Sequence, residues 1–401
     1  MEQMQLKENM KRLWKDTFSD PDSYINMIFD QYFNPETIAY REEKGSLVAA
    51  LLGVPYRFES SPHGSAALKG LYLCGLSTVP SHRNRGLMSQ LIEEINRKAS
   101  EAGYDFTFLI PASEGLTRYY KDRGYIPTFY YYEENYVSDH DFEGEFTKTC
   151  KRNNEYLKIE NFENLNAYRA NFRFSSNEIV DSENPNLPEL LISFLSDYAP
   201  LLNEMGEEKS FSISHSKEDW ETVVRENVIS SDLIFVCLEN SKIKGAAFAA
   251  CHDGNHVKVK KIITSDPIVK IKLLDAIKKH FPEMGMTVIS YSNEKINEGI
   301  FENQIWNPFY IHNNLPEEEY EDVSIVETSV LPQNCTKSFG MCRILNASEI
   351  LKKITNESVN LKFSILRNAE NLLLRRPHHP DYVGEAFDCP LLNLSAFLLL
   401  E

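Results

Sequence analysis

The stretch Val79-Pro80-Ser81-His82-Arg83-Asn84-Arg85-Gly86-Leu87-Met88 decides the reading of this chain. A near-continuous apolar run, Leu71 to Val79, precedes it and reads as a strand. Gly86 to Ala99 follows as an amphipathic helix, with Leu87, Leu91 and Ile95 on one face and Glu93, Glu94, Arg97 and Lys98 on the other. The first turn of a helix carries unpaired N–H groups and the positive end of the helix dipole. A pyrophosphate fits there. Gly86 lets backbone and anion approach without a Cβ between them, and Arg83 and Arg85 add charge of a geometry that suits phosphate. The same residues also fit a plain strand-to-helix turn with two solvated arginines, and the short motif alone does not choose between the two.

Working outward, the spacing of Leu13, Trp14, Phe18, Tyr24, Ile25, Ile28 and Phe29 predicts helix over residues 1–35. Residues 37–41 and 46–56 form a hairpin about the turn Glu43-Lys44-Gly45. Gly103 ends the central helix, Tyr104 to Ile110 is a further strand, and Thr117 to Arg123 a short helix stopped by Gly124. Acidic, polar segments at Glu133 to Glu145 and around Leu315 to Glu319 mark domain boundaries. Between them the same order returns: strands over 233–238 and 243–250 about a turn at Glu239 to Lys242, a strand over 258–264, a helix over 268–280 and a strand over 287–291. Here the connection Ser265-Asp266-Pro267-Ile268-Val269-Lys270 holds neither glycine nor arginine, which reads as a second copy that has lost its anion site.

The bulk numbers bound the remainder. A domain prior of ~150 residues divides 401 residues into two or three domains. Hydrophobic residues at 42% and charged residues at 25% are those of a globular chain with real cores. The net charge of −17 argues against sequence-independent nucleic-acid binding and agrees with a cationic small molecule as partner. No apolar run approaches the ~20 residues of a membrane span. The polar start, MEQMQLKENMKRLWKD, lacks the apolar core of a secretion signal. Seven scattered cysteines without CxxC spacing read as free thiols of a reducing compartment, so the expected location is the cytoplasm. His378-His379 has no ligand partner at metal spacing, and no metal is expected.

Arg83-x-x-Gly86-x-Met88 resembles motif A of the GNAT N-acetyltransferase superfamily, and the Gly-Leu-Met form, with Pro111-Ala112-Ser113-Glu114-Gly115, resembles the Eis-type bacterial subgroup. The order of elements and Tyr120-Lys121-Asp122-Arg123-Gly124-Tyr125 agree with the same superfamily, and Gly340 to Asn346, a helix over 347–354 and a strand over 360–366 resemble the sterol carrier protein-like domain that closes Eis-type chains. The resemblance implies an α/β (α+β) chain of tandem GNAT folds: a catalytic domain over 1–140, a degenerate copy over 141–312 and a short sterol carrier protein-like domain over 313–401. It implies acetyl-CoA as co-substrate and a primary amine as acceptor, and makes a homo-oligomer an expectation; the charge and the lack of an apolar span lead us to expect no nucleic acid or membrane partner. It places the backbone of Leu76, Ser77 and Thr78 beside the pantetheine arm. Arg83, Asn84, Arg85, Gly86, Leu87, Met88 and Ser89 fall at the pyrophosphate, and Ser113 and Glu114 beside the cofactor. Tyr120 matches the family's general acid, with Tyr119 its rival, and the terminal carboxylate of Glu401 stands where Eis-type chains place a base, the alternative being a water chain to a side-chain carboxylate. A longer acyl donor, or a coenzyme A-binding scaffold without turnover, are the alternatives.

Overall fold

The computed structural model describes residues 3–60, 67–176, 178–202, 211–251, 254, 256–264, 266–290, 337–346, 350, 353 and 392–393. Along the chain run α1 (Gln3–Phe18), α2 (Asp22–Tyr32), β1 (Ile38–Glu43), β2 (Ser46–Ser60), β3 (Ala67–Thr78), α3 (Leu87–Glu101), β4 (Phe106–Leu109), α4 (Glu114–Lys121) and β5 (Ile126–Tyr136). Then follow α5 (Phe142–Arg152), α6 (Tyr156–Asn164), β6 (Asn166–Arg169), β7 (Phe172–Ser175), β8 (Glu178–Asp181), α7 (Leu187–Leu202), β9 (Phe211–Ser214) and α8 (Lys217–Ile229). The last are β10 (Leu233–Glu239), β11 (Lys242–Ala250), β12 (His256–Ile263), α9 (Pro267–His280), β13 (Gly285–Ser290), β14 (Lys337–Ile344) and β15 (Leu392–Asn393). They group into two compact units: one from Met1–Tyr131, Asn171–Leu233 and Lys337–Glu401, the other from Tyr132–Ala170 and Ile234–Thr336. The mixed α/β class expected from the sequence is the class observed.

In the first unit the sheet runs β15-β9-β2-β3-β4-β14-β5, with β1 on the same edge of β2 as β9. β3 and β4 are parallel, Gly70 facing Phe106 and Tyr72 facing Phe108, and α3 is the crossover between them. The strand alternation sorts the side chains. Leu71 and Leu73 of β3, Ala49 and Leu51 of β2 and Leu109 of β4 bury against Leu91, Ile92, Ile95 and Ala99 of α3. Phe58, Phe106, Phe108 and Tyr72 form an aromatic cluster, with Phe58 and Phe106 edge to face at 5.0 Å.

The helix expected over 1–35 is two helices. Ser19, at φ +64°, turns the chain and Pro21 opens α2, while the Trp14 indole donates to Asp20 at 2.6 Å across the break. Trp14 also explains a glycine in β3. Gly75 sits at φ +59° in a bulge, where Ala50 pairs with Ser77 but Leu52 with Cys74, and an added Cβ would lie 2.3 Å from the Trp14 ring.

The second unit orders its strands β5-β13-β12-β11-β10-β6 with the Tyr132–Tyr136 part of β5 at its edge. β12 and β13 are parallel and α9 is the crossover, burying Val269, Ile271, Leu273, Leu274 and Ile277. The segment Glu133 to Glu145, expected as a polar boundary, follows directly on the division between the units at Tyr131/Tyr132 and holds the end of β5 and the start of α5, capped by the Asp141 side chain on the Gly144 amide. Gly340 to Ile344 lies within β14, which fills the place between β4 and β5. Apart from residues 337–346, Ile350, Lys353 and Leu392–Asn393, the expected sterol carrier protein-like domain falls outside the described residues.

Candidate functional site

β3 outruns its parallel neighbour. The pairing with β4 covers Gly70 to Tyr72, while β3 continues to Thr78 with its other edge held by β2 through Ala49. Its last residues therefore present a backbone edge beside the end of β4, where an extended group can lie. Ser77 is buried, its hydroxyl donating to the Gly75 carbonyl at 2.9 Å, and Leu76 packs on the core. Leu76, Ser77 and Thr78 are thus fixed as a rigid strand end.

After Thr78 the chain makes a short 3-10 turn at Pro80–His82 and enters α3 through two left-handed residues, Asn84 at φ +59° and Gly86 at φ +75°. Gly86 is the N-cap of α3 and supplies no side-chain acceptor. The consequence is unusual: the six consecutive backbone amides of Asn84, Arg85, Gly86, Leu87, Met88 and Ser89 have no hydrogen-bond partner among the described residues. Nothing lies within 4 Å of where a Gly86 Cβ would sit, so no protein atom crowds this glycine. Its left-handed φ requires it, and the space above it stays open. Leu87 and Met88 anchor the start of the helix by packing on the core.

The two arginines expected at an anion are turned onto the protein. Arg83 Nε donates to the Thr78 carbonyl at 3.1 Å, closing the turn on the strand end. Arg85 holds Glu43 of the β1–β2 hairpin with two bonds of 2.7 and 3.1 Å, and these hold the Glu43 carboxyl below its usual range.

Ser113 is the N-cap of α4, its Oγ accepting from the Leu116 amide, and Glu114 is the first helical residue. This cap starts the helix earlier than the expected Thr117. On α4 the two tyrosines separate. The Tyr119 hydroxyl pairs with Ser89 Oγ at 3.1 Å. The Tyr120 ring, 6% exposed, belongs to the core beside Leu91, Leu109 and Tyr125, yet its hydroxyl has no bond among the described residues and is not among the sealed, unpartnered polar atoms. Burial raises its pKa well above the ordinary tyrosine value, so the phenol stays protonated through the neutral range. Tyr125 has the opposite character: its hydroxyl is locked to Thr107 at 2.9 Å and to Asn96 at 3.2 Å.

Sequence reading passed over Arg123. Its guanidinium stacks 3.3 Å from the Tyr119 ring centre, donates through Nε and Nη2 to Ser89 Oγ at 3.1 and 2.6 Å, and through Nη1 to the Tyr119 carbonyl. The signal was present as the spacing of four between Tyr119 and Arg123, although α4 ends at Lys121 and Arg123 lies in the turn that follows it. Glu401 lies outside the described residues. Among the described residues no group of three or more His, Cys, Asp or Glu is arranged to hold a metal, and no helix is long and apolar enough to cross a membrane.

A family model described as an acetyltransferase (GNAT) domain matches residues 4–128, the span that contains every element of this site. No curated protein sequence matches the chain. Among solved structures, a GCN5-related N-acetyltransferase from Kribbella flavida aligns at 12% identity and a TM-score of 0.50, over 73% of this chain and 64% of the other. A conserved protein of unknown function from Enterococcus faecalis V583, described as a probable N-acyltransferase, aligns at 11% and 0.52 over 87% and 72%. Eis1 from Mycobacterium abscessus aligns at 9% and 0.50 over 88% and 74%. The chain thus spans under two thirds of the Kribbella protein, and at these identities the likeness is one of fold. Residues 4–128 thus match the GNAT acetyltransferase domain, and the likeness of the rest of the chain to these proteins is one of fold.

Proposed function

We propose that this chain transfers an acetyl group from acetyl-CoA to a primary amine, by direct attack of the amine on the thioester. The observation that carries the reading is the run of six unpartnered amides from Asn84 to Ser89 at the start of α3, under open space. Amides this concentrated at a positive helix end call for an anion with several oxygens, which the pyrophosphate of coenzyme A supplies. The free edge of Leu76 to Thr78 suits the amide-bearing pantetheine arm. Tyr120, with a buried ring and an accessible protonated hydroxyl, suits a donor to sulfur.

The thioester supplies the electrophilic carbonyl. The backbone of β3 holds the arm in line, and Asn84 to Ser89 fix the phosphate end. As the amine nitrogen bonds to the carbonyl carbon, the carbon–sulfur bond breaks. The Tyr120 hydroxyl gives its proton to the departing thiolate, and the amine loses one to a base, for which the Glu401 carboxylate is our proposal. The net charge of −17 favours a cationic acceptor such as a polyamine, an aminoglycoside or a lysine side chain. The division into domains at 1–140, 141–312 and 313–401, a cytoplasmic location and a homo-oligomer belong to the same proposal. Cys74, Cys150, Cys237, Cys251 and Cys342 are free thiols, in keeping with a reducing compartment.

The test is release of coenzyme A thiol from acetyl-CoA across a panel of polyamines, aminoglycosides and lysine peptides. Turnover with one class confirms the transferase and names its acceptor. Tight acetyl-CoA binding with silence across the panel, and turnover on a longer acyl-CoA instead, would replace the acetyl donor.

A further inference from the structure

Arg123 is a cation without an anion. Three of its five N–H groups are used, two on Ser89 Oγ and one on the Tyr119 carbonyl, and no carboxylate pairs with it among the described residues. Glu93 is committed to Arg343, whose guanidinium also donates to the Arg123 carbonyl. Holding a guanidinium in one place costs side-chain entropy. Here it is held by hydrogen bonds and by stacking on Tyr119, and the hydroxyl it grips, Ser89 Oγ, belongs to the last of the six unpartnered amide residues. Meanwhile Arg85 is committed to Glu43 and Arg83 Nε to the Thr78 carbonyl. Arg83 also lacks a carboxylate partner among the described residues but is held by a single bond, so the more firmly fixed unneutralised charge beside the first turn of α3 is Arg123, in the turn that follows α4.

We infer that Arg123 is a phosphate-binding residue of the acyl-CoA site, its two remaining N–H donors completing the ring of amides at the start of α3, with Tyr119 and Ser89 as positioning residues that fix its plane. The inference rests on the acyl-CoA reading given above. Tyr119 then has its own task, which separates it from Tyr120: one tyrosine orders the phosphate end and the other faces the sulfur.

The experiment is calorimetric titration of acetyl-CoA, and of inorganic pyrophosphate alone, into the full chain and into Arg123→Gln, Arg123→Lys and Arg97→Gln. Arg97 lies on the exposed side of α3, paired with Glu101, and controls for bulk charge. Charge-assisted bonds to phosphate lead us to expect Arg123→Gln to bind acetyl-CoA roughly ten- to a hundredfold more weakly. Arg123→Lys, which keeps the charge but loses the planar fork, should lose roughly three- to tenfold, and Arg97→Gln less than about twofold. Phosphorus resonances of bound coenzyme A should move between the wild type and Arg123→Lys. Wild-type affinity in either Arg123 variant overturns the inference while leaving the acyl-CoA reading intact. A wild-type chain that binds neither ligand removes both.

Discussion

The chain contains the same β–α–β turn twice and finishes it in two ways. In the first unit β3 leads into α3 through Asn84 and Gly86, both left-handed, and six amides are left open. In the second, β12 leads into α9 through Thr264 to Pro267. There the Asp266 side chain caps the helix by accepting from the Ile268 amide at 2.8 Å, the Asp266 amide is taken up by Thr264 Oγ, and Pro267 has no amide to offer. Both units keep parallel strands around the helix and a bulge in the strand that precedes it, at Gly75–Leu76 in β3 and at Lys260 in β12. Architecture is shared; chemistry is not. A self-capped helix start is the more stable local solution and carries a carboxylate where an anion would bind. An uncapped one leaves donors unsatisfied, a cost of order 1 kcal/mol relative to a capped start. A ligand that fills the site removes that cost.

Predictions follow from trying to convert one turn into the other. The largest effect is expected from Gly86→Asp, which writes the cap of α9 into α3: a side-chain carboxylate takes the amides and repels the phosphates. Acetyl-CoA affinity should fall by roughly a hundredfold or more, read by calorimetry, with the fold retained in circular dichroism. Unchanged affinity would remove the anion site from α3. Next comes Tyr120→Phe, which leaves the turn untouched and removes only the proton donor. Turnover should drop roughly a hundredfold, within the usual range for a general acid, while acetyl-CoA affinity stays within twofold. A rate that holds at saturating substrates hands the role to another group. The pH profile sharpens the same assignment. Because burial raises the Tyr120 pKa above the ordinary value of about 10, its acid form persists, so kcat should show no alkaline fall below about pH 10. A descending limb near pH 8 that vanishes in Tyr120→Phe would contradict its raised pKa. Smallest is Asp266→Ala. Loss of the cap should cost roughly 1 kcal/mol in denaturant unfolding, and no acetyl-CoA site should appear, since Pro267 still lacks its amide.

Sequence alone showed the architecture wherever periodicity is local. The helix over 86–99 is Leu87–Glu101, and the strand over 243–250 is Lys242–Ala250. The turn into α3 was legible because its glycine and its place between strand and helix are local features. Three things were not. The orientation of Arg83 and Arg85 depends on Thr78 and on Glu43, a residue some forty positions earlier in the chain. Arg123 gained its place through Ser89, on another helix. The insertion of β14 between β4 and β5 pairs Cys342 with Phe108 and Ile126, and nothing in an apolar strand states which edge it will join. Gly86 was legible as a glycine but not for its full reason: its left-handed φ demands it as well.

The most direct test is the stoichiometry of acetyl-CoA binding to the intact chain by calorimetry. The open turn at Asn84–Ser89 and the closed turn at Asp266 together predict one saturable site per chain, lost in Gly86→Asp and kept in Asp266→Ala. Two sites per chain, or one that survives Gly86→Asp, would contradict the account.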